Sequence, residues 1–359
     1  MIKESGLEDI YENIEEGERL SFEQGVRLYR SNNILALGSL ANIVREKKNK
    51  NKAYYIHNQH LNYSNICINQ CKFCAFGKEK NDPSAYVMSI EEIADKIKER
   101  IKEPVSEVHI VGGLNPDLPF NYYINMLKAI KQIRPQIHIQ AFTIVEIAHL
   151  ANIAGKPIAL IIEQLKEAGL GSIPGGGAEV FSARIRERLC PKKLSPDSWI
   201  EIAKKIHRMG LRSNATMLYG HIETFEECLE HLITLRAAQD ETGGFLAFIP
   251  LAFHPKNTAL DNLSQTTGFH DLKQIAIARL MLDNFDHIKA YWVMVGTSLA
   301  QTALWFGADD IDGTVIEEKI THMAGGETSQ ALTREELKRL IREADREPVE
   351  RDTLYANLS

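Results

Sequence analysis

Short apolar runs alternate with longer polar-faced segments along most of the chain, and eight runs stand out. They are "AYYIHN" (53–58), "SEVHIVGG" (106–113), "IHIQAFT" (137–143), "GSIPGG" (171–176), "RSNATMLYG" (212–220), "GFLAFIPLAF" (244–253), "HIKAYWVMV" (287–295) and "TALWFGAD" (302–309). Most are rich in β-branched or aromatic residues and bounded by Gly, Pro or Asn, which is how strands read. Between them apolar residues recur at helical spacing. Ile93, Ile97 and Ile101 follow a capping box of Ser89 and Glu92, and Gly169 and Gly210 stand where helices stop. Strand, helix, strand repeated about eight times predicts parallel strands joined by crossovers, either an open doubly wound sheet or a closed barrel. No G-x-G-x-x-G follows the first run, which favours an α/β fold of the (β/α)8 TIM-barrel type. Residues 51–330 are expected to form this barrel. Residues 1–50 are expected to be an N-terminal helical extension packed on it, with Leu20, Val26 and Leu28 on helical spacing. Residues 331–359 are expected to form a C-terminal helix and tail, the helix opened by a capping box from Thr333 to Glu336.

Composition narrows the class. Hydrophobic residues make up 44% of the 359 and charged residues 25%, enough apolar material for a core and far from a disordered chain. The net charge is −6 and the basic residues are dispersed, apart from "REKKNKNK" at 45–52, which reads as a solvated helix end and not a nucleic-acid patch. The acidic "MIKESGLEDIYENIEEG" start resembles neither a signal nor a transit peptide, and no apolar run approaches the roughly 18–20 residues of a membrane span. A cytoplasmic location without membrane or nucleic-acid partners is the expectation. In such a reducing compartment five cysteines argue against a disulfide framework.

Three of those cysteines, Cys67, Cys71 and Cys74, crowd into "CINQCKFC" just beyond the first strand, on the side where barrel loops carry chemistry. Structural zinc takes four protein ligands, so a zinc site would have to borrow one from His57 or His60. Three thiolates fit better on a [4Fe-4S] cluster whose fourth iron stays open to another ligand. Cys190 and Cys228 are isolated and read as small apolar side chains.

The C-x3-C-x2-C spacing, with Phe73 before Cys74, resembles the signature of the radical S-adenosylmethionine (SAM) superfamily. The resemblance implies that the open iron binds the amino and carboxylate groups of SAM, and that an electron cleaves it to methionine and a 5′-deoxyadenosyl radical. Gly112 and Gly113 in "VHIVGGLNP" resemble the glycine pair whose backbone receives the methionine amino group, a close approach that a Cβ would block. Gly220 and Glu223 in "MLYGHIET" resemble the G-x-x-E segment near the adenine, and Phe73 is grouped with these cofactor contacts. Glu179 in "PGGGAEVF" is a further candidate, for the ribose hydroxyls.

Longer blocks resemble one branch of that superfamily, the one acting in the futalosine route to menaquinone, together with its deazaflavin-precursor relatives. They are "GGLNPDLPFNYY", "GSIPGGGAEVF", "SNATMLYGHIET", "QDETGGFLAFIPLAFHPKNT" and "ARLMLDNF". Aminodeoxyfutalosine synthases and dehypoxanthine futalosine cyclases share these blocks. The stretch "AYWVMVGTSLAQTALWFGADDIDGTVIEEKI", with "LAFHP" at 251–255 and "REPVERDTLY" at 346–355, is more similar to the synthases. Their chemistry, by resemblance, is addition of the adenosyl radical to the enol-ether double bond of 3-[(1-carboxyvinyl)oxy]benzoate. Rearrangement and loss of the carboxyl carbon as bicarbonate follow. Such a reaction needs a dry pocket, fixed donors for two carboxylates, and a low-potential electron donor such as flavodoxin or ferredoxin. His254 and His221 are candidates for substrate contact or proton transfer, and Arg212 and Arg279 for binding the substrate. The family commonly has "GGLHP" where this chain has Asn115, a side chain that cannot titrate near neutrality, so position 115 receives no role.

Overall fold

The apolar runs pair side by side as parallel strands in the computed structural model, which describes residues 2–358. The first run divides at His57 into two strands, β1 (Lys52–Ile56) and β2 (Asn58–Leu61). β2 opens a seven-stranded sheet that continues, each strand paired to the next, through β3 (Glu107–Ile110), β4 (His138–Ala141), β5 (Ser172–Ile173), β6 (Arg212–Tyr219), β7 (Phe245–Ala252) and β8 (His287–Ile288). These strands form a curled half-barrel. Its open side is spanned by the irregular segment 309–316, which begins with β9 (Asp310–Gly313). Single bridges tie that segment to both edges, Lys289 to Asp310 and Gln59 to Ile316, with Ala290 N–H donating to the Asp310 carbonyl and His60 N–H to the Ile316 carbonyl, each at 2.8 Å. β1 lies between β9 and β10 (Glu347–Glu350) in a separate three-stranded parallel sheet.

Two predicted strands need correction. "HIKAYWVMV" keeps only its first two residues as strand, and Trp292–Val295 is a helical turn. "TALWFGAD" is the end of the helix Thr297–Ala303 and a turn, the strand starting only at Asp310. Both runs are short with an unbroken apolar stretch, Ala290–Val295 and Ala303–Phe306, and such a stretch packs equally well as buried helix or buried strand. The C-terminal segment also holds β10, which was expected to be plain tail.

Helices cover the sheet, and their buried residues merge with the strands into one core that includes Ile93, Ile97, Leu127, Ile139, Ile161, Met217 and Leu232. Ile101 falls outside it, exposed beyond the helix end at Glu99. The capping boxes at Ser89/Glu92 and Thr333/Glu336 both form. The N-terminal helices Phe22–Arg30 and Ile34–Asn49 pack on Phe225–Thr242 and Gly268–Met281, with Leu20 and Leu28 buried and Val26 half-buried. Among the described residues no single helix is long and apolar enough to cross a membrane.

Candidate active site

The C-terminal ends of the barrel strands open onto a cavity of about 330 Å³. The loop leaving β2 carries Cys67, Cys71 and Cys74 into its wall, all three half-buried. Gly77 N–H donates to Cys74 Sγ at 3.3 Å, and a Cβ on Gly77 would lie 3.4 Å from Cys67 Cβ, so the loop folds both cysteines around one residue. A hydrogen bond from Cys190 holds the Cys71 thiol down to about 7, while burial pushes Cys74 up to about 11. Cys190 is therefore not the isolated apolar side chain expected, because the end of the helix Ala183–Leu189 brings it to Cys71. Among the described residues no three His, Cys, Asp or Glu side chains meet at single-ion distance. Three thiols opening separately onto one cavity suit a cube, whose irons each take one.

The glycine pair forms the adjacent wall. A Cβ on Gly112 would lie 2.5 Å from the Tyr63 ring, and one on Gly113 only 2.2 Å from the Ile66 carbonyl oxygen, so neither position has room for a side chain. Gly112 N–H donates to Glu146 Oε1 at 3.1 Å, and the Tyr63 hydroxyl donates to the same oxygen at 2.8 Å. Burial raises the Glu146 carboxyl in spite of these donors. Glu146 also closes a capping box on Thr143, and that T-x-x-E spacing is the signal in the sequence by which it could have been found.

Glu179 lines the cavity and forms an ion pair with Lys193, both nearly buried, and Lys193 Nζ stands 5.2 Å over the Phe73 ring. Burial alone would depress the Lys193 ammonium, but the charge of Glu179, with Cys71 and Cys190 behind it, outweighs that cost and keeps it cationic. Glu179 holds φ of 54°, a strained backbone for a residue with a Cβ and one that recurs at ligand sites. Lys193 was not among the sequence candidates, since nothing in "CPKKLSP" separates it from a surface lysine.

The remaining candidates divide. His254 lines the cavity, its Nε2 donating to the Met294 carbonyl at 2.8 Å, which leaves Nδ1 as the free acceptor. His221, Gly220 and Glu223 form a self-bonded turn and do not line it. Ile222 N–H donates to His221 Nδ1 at 2.7 Å, and Glu223 accepts from the N–H groups of Gly220 and His221. Burial opposes ionisation of Glu223, yet His221 and the Gly220 N–H prevail and hold it at about 2. Arg212 sits at the opposite, N-terminal end of β6, exposed and donating to the Gly243 carbonyl. Arg279 is fully buried in its helix, paired with Asp309 and donating to the Gly307 carbonyl at 2.8 Å. Neither arginine reaches the cavity, so both are withdrawn as substrate ligands. Asn115 is buried behind the glycine pair, where its side chain accepts Asp117 N–H at 3.0 Å and shapes the loop. In place of the arginines the cavity gathers His60, His109, Tyr291, Asp312 and Glu318, none of them singled out in the sequence for substrate chemistry.

Comparison with known proteins agrees with this geometry. The model of the radical SAM superfamily matches residues 61–235, and that of the CofH/MqnC C-terminal region matches residues 242–359. The aminodeoxyfutalosine synthase of Thermus thermophilus is 46% identical over 99% of this chain and 96% of its own. That of Streptomyces coelicolor is 40% identical over 98% and 94%. A 5-amino-6-(D-ribitylamino)uracil–L-tyrosine 4-hydroxyphenyl transferase of Methanococcoides burtonii is 40% identical over 90% of this chain and 91% of its own. Among solved structures, methylornithine synthase superposes with a TM-score of 0.76 at 18% identity, covering 94% of this chain and 97% of that one, a likeness of fold alone. The [FeFe]-hydrogenase maturase HydG gives 0.75 at 15% identity, covering 97% and 77%. The chain belongs to the radical SAM superfamily, whose enzymes use a [4Fe-4S] cluster and SAM, within the family that holds the aminodeoxyfutalosine synthases and the 4-hydroxyphenyl transferases.

Proposed function

We propose that this chain is an aminodeoxyfutalosine synthase, joining the adenosyl part of SAM to 3-[(1-carboxyvinyl)oxy]benzoate with release of methionine and bicarbonate. The observation that carries the reading is the 46% identity to the Thermus thermophilus synthase, which runs through both the cysteine-bearing half and the C-terminal half. Cys67, Cys71 and Cys74 would hold three irons of the cluster. When bound and reduced by one electron, the cluster and SAM supply a 5′-deoxyadenosyl radical. The chain's own residues position and protect. Gly112 and Gly113 line the cavity where the methionine end would lie, their lack of a Cβ letting Tyr63 and the Ile66 carbonyl pack against them, and Glu179, steadied by Lys193, offers a carboxylate to the ribose hydroxyls. His254 can take up or return a proton at Nδ1. Phe73, Phe76, Leu218, Ile249, Leu251 and Phe253 supply the apolar part of the wall, which keeps water from a radical and strengthens each polar contact inside. The electron would come from a low-potential carrier such as flavodoxin or ferredoxin.

The archaeal transferases, 40% identical to this chain, favour a second reading, radical attack involving tyrosine and a ribitylaminouracil. One anaerobic assay separates the two. Reconstituted, reduced protein with SAM is given the carboxyvinyloxy-benzoate in one vessel, and tyrosine with the aminouracil in another, and products are read by mass spectrometry. An adenine-containing adduct in the first vessel is the expected result. Free 5′-deoxyadenosine there without adduct points to the cyclase, and an aminouracil carrying the 4-hydroxyphenyl part of tyrosine in the second vessel to the transferase.

A further inference from the structure

A row of polar side chains crosses four neighbouring strands. In-register pairing aligns His60 on β2, His109 on β3, Gln140 on β4 and Ser172 on β5. Gln140 Nε2 donates to Ser172 Oγ at 3.1 Å, which turns Gln140 Oε1 toward His109 Nδ1, its donor at 3.0 Å. The His109 and His60 rings stack, with centroids 4.5 Å apart and planes 12° from parallel. Interiors of such barrels are normally filled by branched apolar side chains, and a buried polar row is costly wherever a member goes unsatisfied. The row is satisfied until it reaches His60. That residue is only 8% exposed, yet its ring has no hydrogen-bond partner among the described residues, and both imidazoles line the cavity.

Position and charge say what belongs there. Gly112 follows His109 by three residues, which at about 3.3 Å per residue puts the imidazole pair roughly 10 Å deeper than the glycine wall. The reacting enol-ether carbon has to lie near the glycine and cysteine rim, so the ring carboxylate of the substrate is the group that reaches inward. Lys193 is engaged with Glu179 beside the cysteines, and the two candidate arginines lie elsewhere. The Glu107 carboxylate stands 3.8 Å from His109 Nδ1, which with the Gln140 hydrogen bond holds that ring in place. We propose that the stacked His60–His109 pair binds the ring carboxylate of the substrate, His60 as the direct donor and His109, fixed by Gln140, as the second. This assignment rests on the synthase reading.

The test compares the carboxyvinyloxy-benzoate with 2-phenoxyacrylate, which lacks only the ring carboxylate, in wild type, His60→Leu, His60→Gln and His109→Gln. Loss of a charge-assisted hydrogen bond should raise KM for the full substrate about 10- to 100-fold in His60→Leu, with little change for phenoxyacrylate. His60→Gln, which keeps an N–H, should recover part of the loss. Cluster iron content and SAM affinity should stay within about twofold of wild type, which separates a substrate contact from general damage; should His60→Leu fail to hold iron, the two glutamine variants carry the comparison. An unchanged KM, or an equal loss on both compounds, overturns the assignment. SAM cleavage without any adduct in the wild type overturns the synthase reading itself, and this assignment with it.

Discussion

Gly113→Ala puts the proposed cluster loop to a direct test. The added Cβ would lie 2.2 Å from the Ile66 carbonyl oxygen, 2.7 Å from its carbon and 3.1 Å from the Asn65 carbonyl carbon, all of them backbone atoms that no rotamer change can move. Ordinary contact requires a retreat of about 1 Å. The two segments are stitched by Gly113 N–H donating to the Ser64 carbonyl at 2.7 Å and Ile68 N–H donating to the Leu114 carbonyl at 3.1 Å, so a retreat strains both bonds. At about 1 kcal/mol per bond, plus about 1–3 kcal/mol for overpacking, the local cost is about 3–5 kcal/mol. Ile66 precedes Cys67, and a misplacement of about 1 Å at a reacting centre costs on the order of 100-fold in rate. Iron per chain after anaerobic reconstitution, adduct formation and thermal melting give the three readouts. Gly155→Ala is the control: its Cβ would meet nothing within 4 Å, but φ of 59° still costs about 1 kcal/mol of strain. The control should melt earlier with iron and turnover intact. A Gly113→Ala protein with full iron and turnover within threefold of wild type would refute the reasoning.

Lys193→Met leaves the Glu179 carboxylate nearly buried without its partner and should cost about 3 kcal/mol in stability, most of which Lys193→Met/Glu179→Gln should restore. Additive losses in a denaturant double-mutant cycle would count against the pair. Glu179→Gln alone should weaken SAM binding about tenfold with iron unchanged, measured by equilibrium dialysis. His254→Ala should lower turnover more than about tenfold, whereas His221→Ala should cost about 1 kcal/mol of stability and leave turnover within about threefold, and the reverse ranking would return His221 to the chemistry. The hydrogen bond that His322 Nδ1 donates to the Glu318 carboxylate raises His322 to about 9, above its ordinary 6.5, so the stabilisation it gives is fully present below about 6.5 and is lost as pH rises through about 9. Melting temperatures of wild type and His322→Gln should therefore converge across that window, and a constant difference would refute the linkage.

Much of the fold was readable because it is written locally. Period-2 and period-3.6 patterning gave the order of strands and helices, and both predicted capping boxes form. The failures came where local pattern is ambiguous: "HIKAYWVMV" and "TALWFGAD" each carry an unbroken apolar stretch with no polar alternation, and a helix and a strand satisfy it equally. The cysteine spacing and the glycine pair were equally legible, since each is one contiguous segment whose chemistry depends on neighbours in sequence.

Which charged side chains reach the cavity was settled by tertiary structure alone. Arg212 and Arg279 look in sequence like any substrate-binding arginine, but strand direction places the first at the wrong end of β6, and the second is consumed by Asp309. Lys193, in contrast, is brought to Glu179 and Phe73 by the turn after its helix. His60 and His109 lie 49 positions apart and meet only because β2 and β3 pair in that register; a slip of one residue would turn one ring out of the cavity. The sequence by itself determined the succession of elements and the cysteine loop, since these follow from nearest neighbours along the chain. The composition of the cavity wall depends on register and crossover, which exist only once distant strands have closed around it.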